Sequence, residues 1–89
     1  MDTHSKVALV TGAGTGIGKA VAQLMLRSGY RVALAGRRQA PLVNAAQGFN
    51  ADTALVVPTD VSQPASVDAL YAQIQARFGR LDVLFNNAG

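Results

Sequence analysis

Thr11-Gly12-Ala13-Gly14-Thr15-Gly16-Ile17-Gly18 joins an apolar run at residues 7–10 to a segment in which apolar residues recur at helical spacing. A strand that enters a helix through glycines turns several backbone N–H groups, and the positive end of the helix dipole, toward one point above the turn. Glycine removes side chains that would strike an anion held there or the strand beneath. The stretch therefore implies a loop that grips a phosphate, and with it a nucleotide.

Strand and helix signals alternate along the rest of the chain. Residues 6–11 form a continuous β-branched and aliphatic run, the pattern of a strand buried on both faces of a parallel sheet. Ile17, Val21, Leu24 and Met25 then predict one apolar helix face, and Gly29 a left-handed cap. Residues 31–35 read as a second strand. A second helix is expected over 40–46, with Pro41 in its first turn and Gly48 as its stop. Residues 54–57 make a third strand closed by Pro58. Ser62 is the expected cap of a third helix, with Pro64 in its first turn and Val67, Leu70, Tyr71, Ile74 and Phe78 on its apolar face; Tyr71 is read as core packing. Residues 81–85 are a fourth strand, and Asp82 at its start is read as structural. The order β-α-β-α-β-α-β, with crossovers long enough for right-handed parallel connections, specifies an α/β doubly wound parallel sheet.

Composition bounds the reading. Eighty-nine residues make one small domain at most, and a chain of this length buries only about 60–65 % of its unfolded surface. There is no cysteine and a single histidine, His4, so neither a disulfide framework nor a thiolate or histidine-rich metal site is expected. The first six residues lack the features of a signal peptide, and no apolar run reaches about 18 residues. A soluble, cytoplasmic protein without membrane partners is the default expectation. The net charge of +3 comes from Lys6, Lys19, Arg27, Arg31, Arg37, Arg38, Arg77 and Arg80 against five aspartates. Spread out and without interleaved aromatics, these cations do not make a nucleic-acid surface. Arg27 and Arg77 fall in last turns of predicted helices, where a cation meets the negative pole.

The loop spacing separates kinds of dinucleotide site. G-x-G-x-x-G fails, since its last glycine would fall on Ile17 or Lys19. T-G-x-x-x-G-x-G fits at Thr11, Gly12, Gly16 and Gly18. Asp60-Val61 follows strand three and Asn86-Asn87-Ala88-Gly89 follows strand four. In these three motifs, each beyond the carboxyl end of a predicted strand, essentially the whole chain resembles the cofactor-binding half of the classical short-chain dehydrogenase/reductase family, a Rossmann-type fold.

The resemblance implies roles. The backbone of Gly12, Ala13, Gly14, Thr15, Gly16 and Ile17, leading into Gly18, would cradle a pyrophosphate, with Thr15 offering a hydroxyl. Asp60 would accept from the adenine amino group and Val61 would line the ring. Asn87, Ala88 and Gly89 would run beneath the adenosine ribose and pyrophosphate. Simpler readings stand beside these: Asp60 as a turn residue before a helix cap, and Asn86-Asn87 as a polar loop start.

Cofactor choice turns on the end of strand two. An NAD site would place an acid about 20 residues beyond the glycine loop, where this chain has Gly36 and no acid before Asp52. Arg37 and Arg38 follow at once, and guanidinium groups suit a 2′-phosphate. The expected cofactor is NADP rather than NAD, with Arg37 the stronger candidate and Arg38 equally readable as a solvated residue entering helix two. Some NADP-preferring relatives also carry a basic residue where this chain has Thr15.

The family's reaction uses a Tyr-x-x-x-Lys pair with a nearby Ser, the lysine lowering the phenol pKa from one turn away. Here Leu34 stands four residues after Tyr30 and Gln75 four after Tyr71. No catalytic residue is assigned, and the 89 residues alone are not expected to turn over. The resemblance implies an oxidoreductase moving hydride between a nicotinamide and a small alcohol or carbonyl substrate, a homo-oligomer at full length, with this segment as the N-terminal part of a single NADP-binding domain. A truncated, non-catalytic nucleotide-binding module is the alternative.

Overall fold

The computed structural model describes residues 6–87. Its elements are β1 (Val7–Thr11), α1 (Gly16–Arg27), β2 (Arg31–Gly36), α2 (Gln39–Ala46), β3 (Ala54–Pro58), α3 (Pro64–Arg77) and β4 (Val83–Phe85). All strand pairings are parallel, in the order β3-β2-β1-β4. The α/β doubly wound sheet expected from the alternation of signals is therefore the fold. The chain builds outward from β1 through β2 to β3, then returns to the other side of β1 as β4. That reversal opens a crevice beyond the carboxyl ends of β1 and β4, the place where open α/β sheets bind ligands.

Successive residues of a strand face opposite sides of the sheet, so the buried strands feed two cores. Val7, Leu9, Ala33, Ala35, Leu55 and Val57 pack against Leu70, Ile74 and Phe78 of α3. Ala8, Val10, Val32 and Leu34 pack on the opposite face against Ala22 and Leu26 of α1 and Leu42 and Ala45 of α2. All of β1 is buried, as a continuous apolar run with helices on both sides requires.

Several local expectations change in the folded chain. On α1 the buried residues are Gly18, Ala22 and Leu26, with Val21 and Met25 at the margin and Ile17 and Leu24 exposed. Glycine and alanine let the helix lie close to the sheet, and the larger side chains are rotated to its flank. Tyr71 is 41 % exposed and not core packing; Leu70, Ile74 and Phe78, four residues apart, take that role. Ser62 does not cap α3. Gln63 holds the cap position, and the Ser62 hydroxyl is drawn back to Asp60. The fourth strand is shortened to Val83–Phe85. Leu81 and Asp82 precede it, and the Asp82 carboxylate accepts from the Val7 backbone N–H at 2.8 Å and from Arg80 at 2.7 and 2.9 Å. Its structural role is as read from the sequence.

Helix ends follow the punctuation. The Gly29 N–H donates to Leu26 O and the Tyr30 N–H to Met25 O, closing α1 with the bond pattern of a left-handed cap. Pro41 lies in the first turn of α2 and Pro64 opens α3. Among the described residues no helix is long and apolar enough to cross a membrane.

Candidate functional site

Thr11 ends β1 with its side chain turned sideways, toward the chain leaving β4. Its hydroxyl donates to Asn86 Oδ1 at 2.9 Å and accepts from the Asn87 N–H at 2.8 Å. The first residue of the glycine motif thus holds the asparagine motif in place, across 75 positions of sequence. The loop itself is anchored to the neighbouring strand by the Ala13 N–H, which donates to Ala35 O at 3.1 Å.

The glycines serve different purposes. A Cβ on Gly18 would collide with the Gly12 carbonyl, one on Gly12 would approach Asn87 O to 2.8 Å, and one on Gly14 would approach Pro41 Cβ to 2.6 Å. These three let the loop, the asparagine segment and α2 come together. Gly16 differs: its φ is +56°, and nothing lies within 4 Å of where its Cβ would be. It opens α1 under empty space. Thr15 before it is extended and exposed, with no side-chain bond to the helix it caps. The first turn of α1 contains no acidic residue, so no side-chain carboxylate within that turn competes for the positive pole. Ile17 is exposed beside the turn.

From the loop a cleft of about 420 Å³ extends along the strand ends, lined by Gly12, Thr15, Gly36, Arg37, Thr59, Val61 and Asn87. A smaller hollow, about 130 Å³, continues toward α2 between the glycine loop and Arg37, Arg38 and Pro41. Thr59 was not singled out from the sequence. Its backbone N–H donates to Gly36 O at 2.6 Å and its hydroxyl to Val57 O at 2.9 Å, so it ties the floor of the cleft to β2 and β3. Its signal was position alone, directly after a strand that ends in proline.

Asp60 closes a turn, as its simpler reading expects. Its Oδ1 accepts from the Ser62 N–H at 3.0 Å and from the Ser62 hydroxyl at 2.6 Å, a turn closed on the aspartate side chain. The same oxygen lies 3.7 Å from Arg37 Nη2. The Ser62 bonds first, then the nearby guanidinium, hold the Asp60 carboxyl below the ordinary aspartate range. Arg37 is exposed and Arg38 caps α2. Val61 is 47 % exposed. Ala88 and Gly89 lie outside the described residues.

Elsewhere the chemistry is sparse. A hollow of about 800 Å³ between α2 and the loop into β3 is lined by residues such as Val43, Gln47 and Phe49 and holds no ionisable side chain. Among the described residues no group of three potential metal ligands exists.

A fold that reverses direction beside a glycine turn, with further polar loops at the same edge, defines a dinucleotide-type α/β protein. The chain belongs to the short chain dehydrogenase family, whose model it matches over residues 6–89. It is 49 % identical over 84 residues to an uncharacterised oxidoreductase of Staphylococcus aureus (strain USA300), a match covering 94 % of this chain and 36 % of that protein. An uncharacterised oxidoreductase of Staphylococcus haemolyticus (strain JCSC1435) is 41 % identical over 88 residues, covering 99 % of this chain and 38 % of its relative. The chain thus spans under two-fifths of the length of these curated relatives. Among solved structures, the apo form of a glucose dehydrogenase of Caenorhabditis elegans superposes with a TM-score of 0.91 at 35 % identity, covering 99 % of this chain and 40 % of that one. A 3-ketoacyl-(acyl-carrier-protein) reductase from Brucella melitensis, complexed with NADH, superposes at 0.83 with 38 % identity, covering 89 % of this chain and 32 % of the other.

Proposed function

We propose that residues 1–89 are the N-terminal part of a single NADP-binding domain, in a cytoplasmic oxidoreductase that transfers hydride between a nicotinamide and a small alcohol or carbonyl substrate. The observation that carries the cofactor reading is the end of β2, where Gly36 leaves no carboxylate and Arg37 borders both the cleft and the hollow beside the glycine loop.

The residues fit a dinucleotide. The open space above Gly16, at the start of α1, is where backbone N–H groups and the helix pole would meet a pyrophosphate. Gly12, Gly14, Thr15, Ile17 and Gly18 shape that turn. Val61 would line the adenine and Asp60 would accept from its amino group. Asn87, with Ala88 and Gly89, would run beneath the ribose. Arg37, assisted by Arg38, would take the 2′-phosphate through paired, charge-assisted bonds. The bound cofactor supplies the hydride chemistry; these residues bind and orient its adenosine half.

Arg37→Asp tests the reading in the natural protein that carries this segment. Affinity for NADP(H) should fall by about 10-fold or more while NAD(H) changes little, because only the 2′-phosphate meets the reversed charge. A uniform loss for both cofactors would assign Arg37 to folding or general charge instead. A non-catalytic nucleotide-binding module is the second reading, resting on the same glycine turn and cleft. It predicts nucleotide binding without turnover in the natural gene product.

A further inference from the structure

We propose that Asp60 is a second determinant of cofactor choice: its carboxylate forms with Arg37 a loose ion pair beside the cleft, which a 2′-phosphate must part, and so holds down affinity for 2′-phosphorylated nucleotides. The inference rests on the assignment of Arg37 to the 2′-phosphate.

The two partners are held very differently. The Asp60 carboxylate is fixed: Oδ1 takes two bonds from Ser62, and the Asp60 backbone N–H donates to Ser66 Oγ at 2.9 Å. The Arg37 side chain is 74 % exposed, and its Nη2 stands 3.7 Å from Oδ1, beyond hydrogen-bond length. A single oxygen, already accepting twice, offers the guanidinium no fork. A phosphate offers two parallel bonds and more charge, so Arg37 is the member that moves. When it does, the fixed aspartate stays behind as a negative charge close to the incoming phosphate. Both effects, the loss of the ion pair and the residual repulsion, act only on nucleotides that carry a 2′-phosphate.

Asp60→Asn removes the charge while its one amide oxygen can still accept from Ser62, and comparing two nucleotides that share the adenine cancels any change at the amino group. In the natural protein that carries this segment, the preference for adenosine 2′,5′-bisphosphate over 5′-AMP should rise by about threefold to tenfold at low salt, with the gain shrinking as salt screens it. Arg37→Ala should abolish the preference for the bisphosphate, and in that background Asp60→Asn should give little further gain. If Arg37→Ala abolishes the preference but Asp60→Asn leaves it unchanged or lower, the role of Asp60 is overturned while the cofactor reading stands. A full gain persisting without Arg37 would overturn the ion pair and leave direct repulsion. If Arg37→Ala leaves the preference intact, the cofactor reading fails and this inference with it. Circular dichroism checks each variant, and Asp60→Ser, which also removes the charge, replaces Asp60→Asn if that protein does not fold.

Discussion

Gly16 and its neighbours show how alike residues in one motif do unlike things. Gly12, Gly14 and Gly18 are small because protein atoms crowd them, whereas Gly16 has empty space where a side chain would stand and a φ of +56° that side chains disfavour. Gly16→Val should therefore strain the turn and block the approach of a pyrophosphate, lowering dinucleotide affinity by about 100-fold or more in a folded variant. Calorimetric titration with NADP+ checks this, and unchanged affinity would refute the loop assignment. Residue identity in the motif was legible in the sequence. Which glycine faces open space was not, because Asn87 and Pro41, which crowd the others, are distant in sequence.

Between elements, two polar ties fasten β4 to β1, one at each end. At the carboxyl end Thr11 bonds Asn86 and Asn87. Thr11→Val keeps the shape but strips the Asn87 N–H of its partner, which should cost about 1–2 kcal/mol in urea unfolding and loosen the cleft wall, weakening nucleotide binding as well. At the amino end Asp82 bonds the Val7 N–H and Arg80. Arg80 first, then the Val7 N–H, hold the Asp82 carboxyl below its ordinary range. Its folded pKa is depressed, so the unfolded chain binds the proton more readily. The stabilisation is present above the ordinary aspartate value and is lost as pH falls through the lowered one. Stability followed by thermal melts from pH 6 down to pH 2 should decline through that window, and Asp82→Asn should lower the melting temperature at pH 6 while flattening the acid decline. An unchanged acid slope would count against the tie. The sequence placed each of these elements nearly where they lie, since glycine and proline punctuate them locally. It misassigned the cap of α3 because Asp60 competes for Ser62, and it took Tyr71 for core because helical spacing marks an apolar stripe without fixing its width.

Across the whole molecule, one side of the sheet is less covered than the rest. Leu84 is 52 % exposed, and with Val61, Val67 and Tyr71 it lines a hollow of about 330 Å³ between α3 and β4. Among the described residues β4 pairs only with β1. An apolar edge strand of this kind promotes association. A polypeptide limited to residues 1–89 should therefore self-associate at tens of micromolar and bind a hydrophobic dye, measured by sedimentation and fluorescence. A monodisperse, dye-silent monomer would show that this face is tolerated in water. The sequence by itself determined the order of strands and helices, the position of the glycine turn and the lack of an acid after β2, because periodicity, spacing and residue type are local properties of the chain. Only the tertiary structure decided which helix face is buried, which glycines are crowded, that Thr11 holds the asparagine segment and that Asp60 lies beside Arg37. Those are meetings of residues far apart in sequence, and the return of β4 to the side of β1 is what brings Thr11 and Asn86 together at one edge.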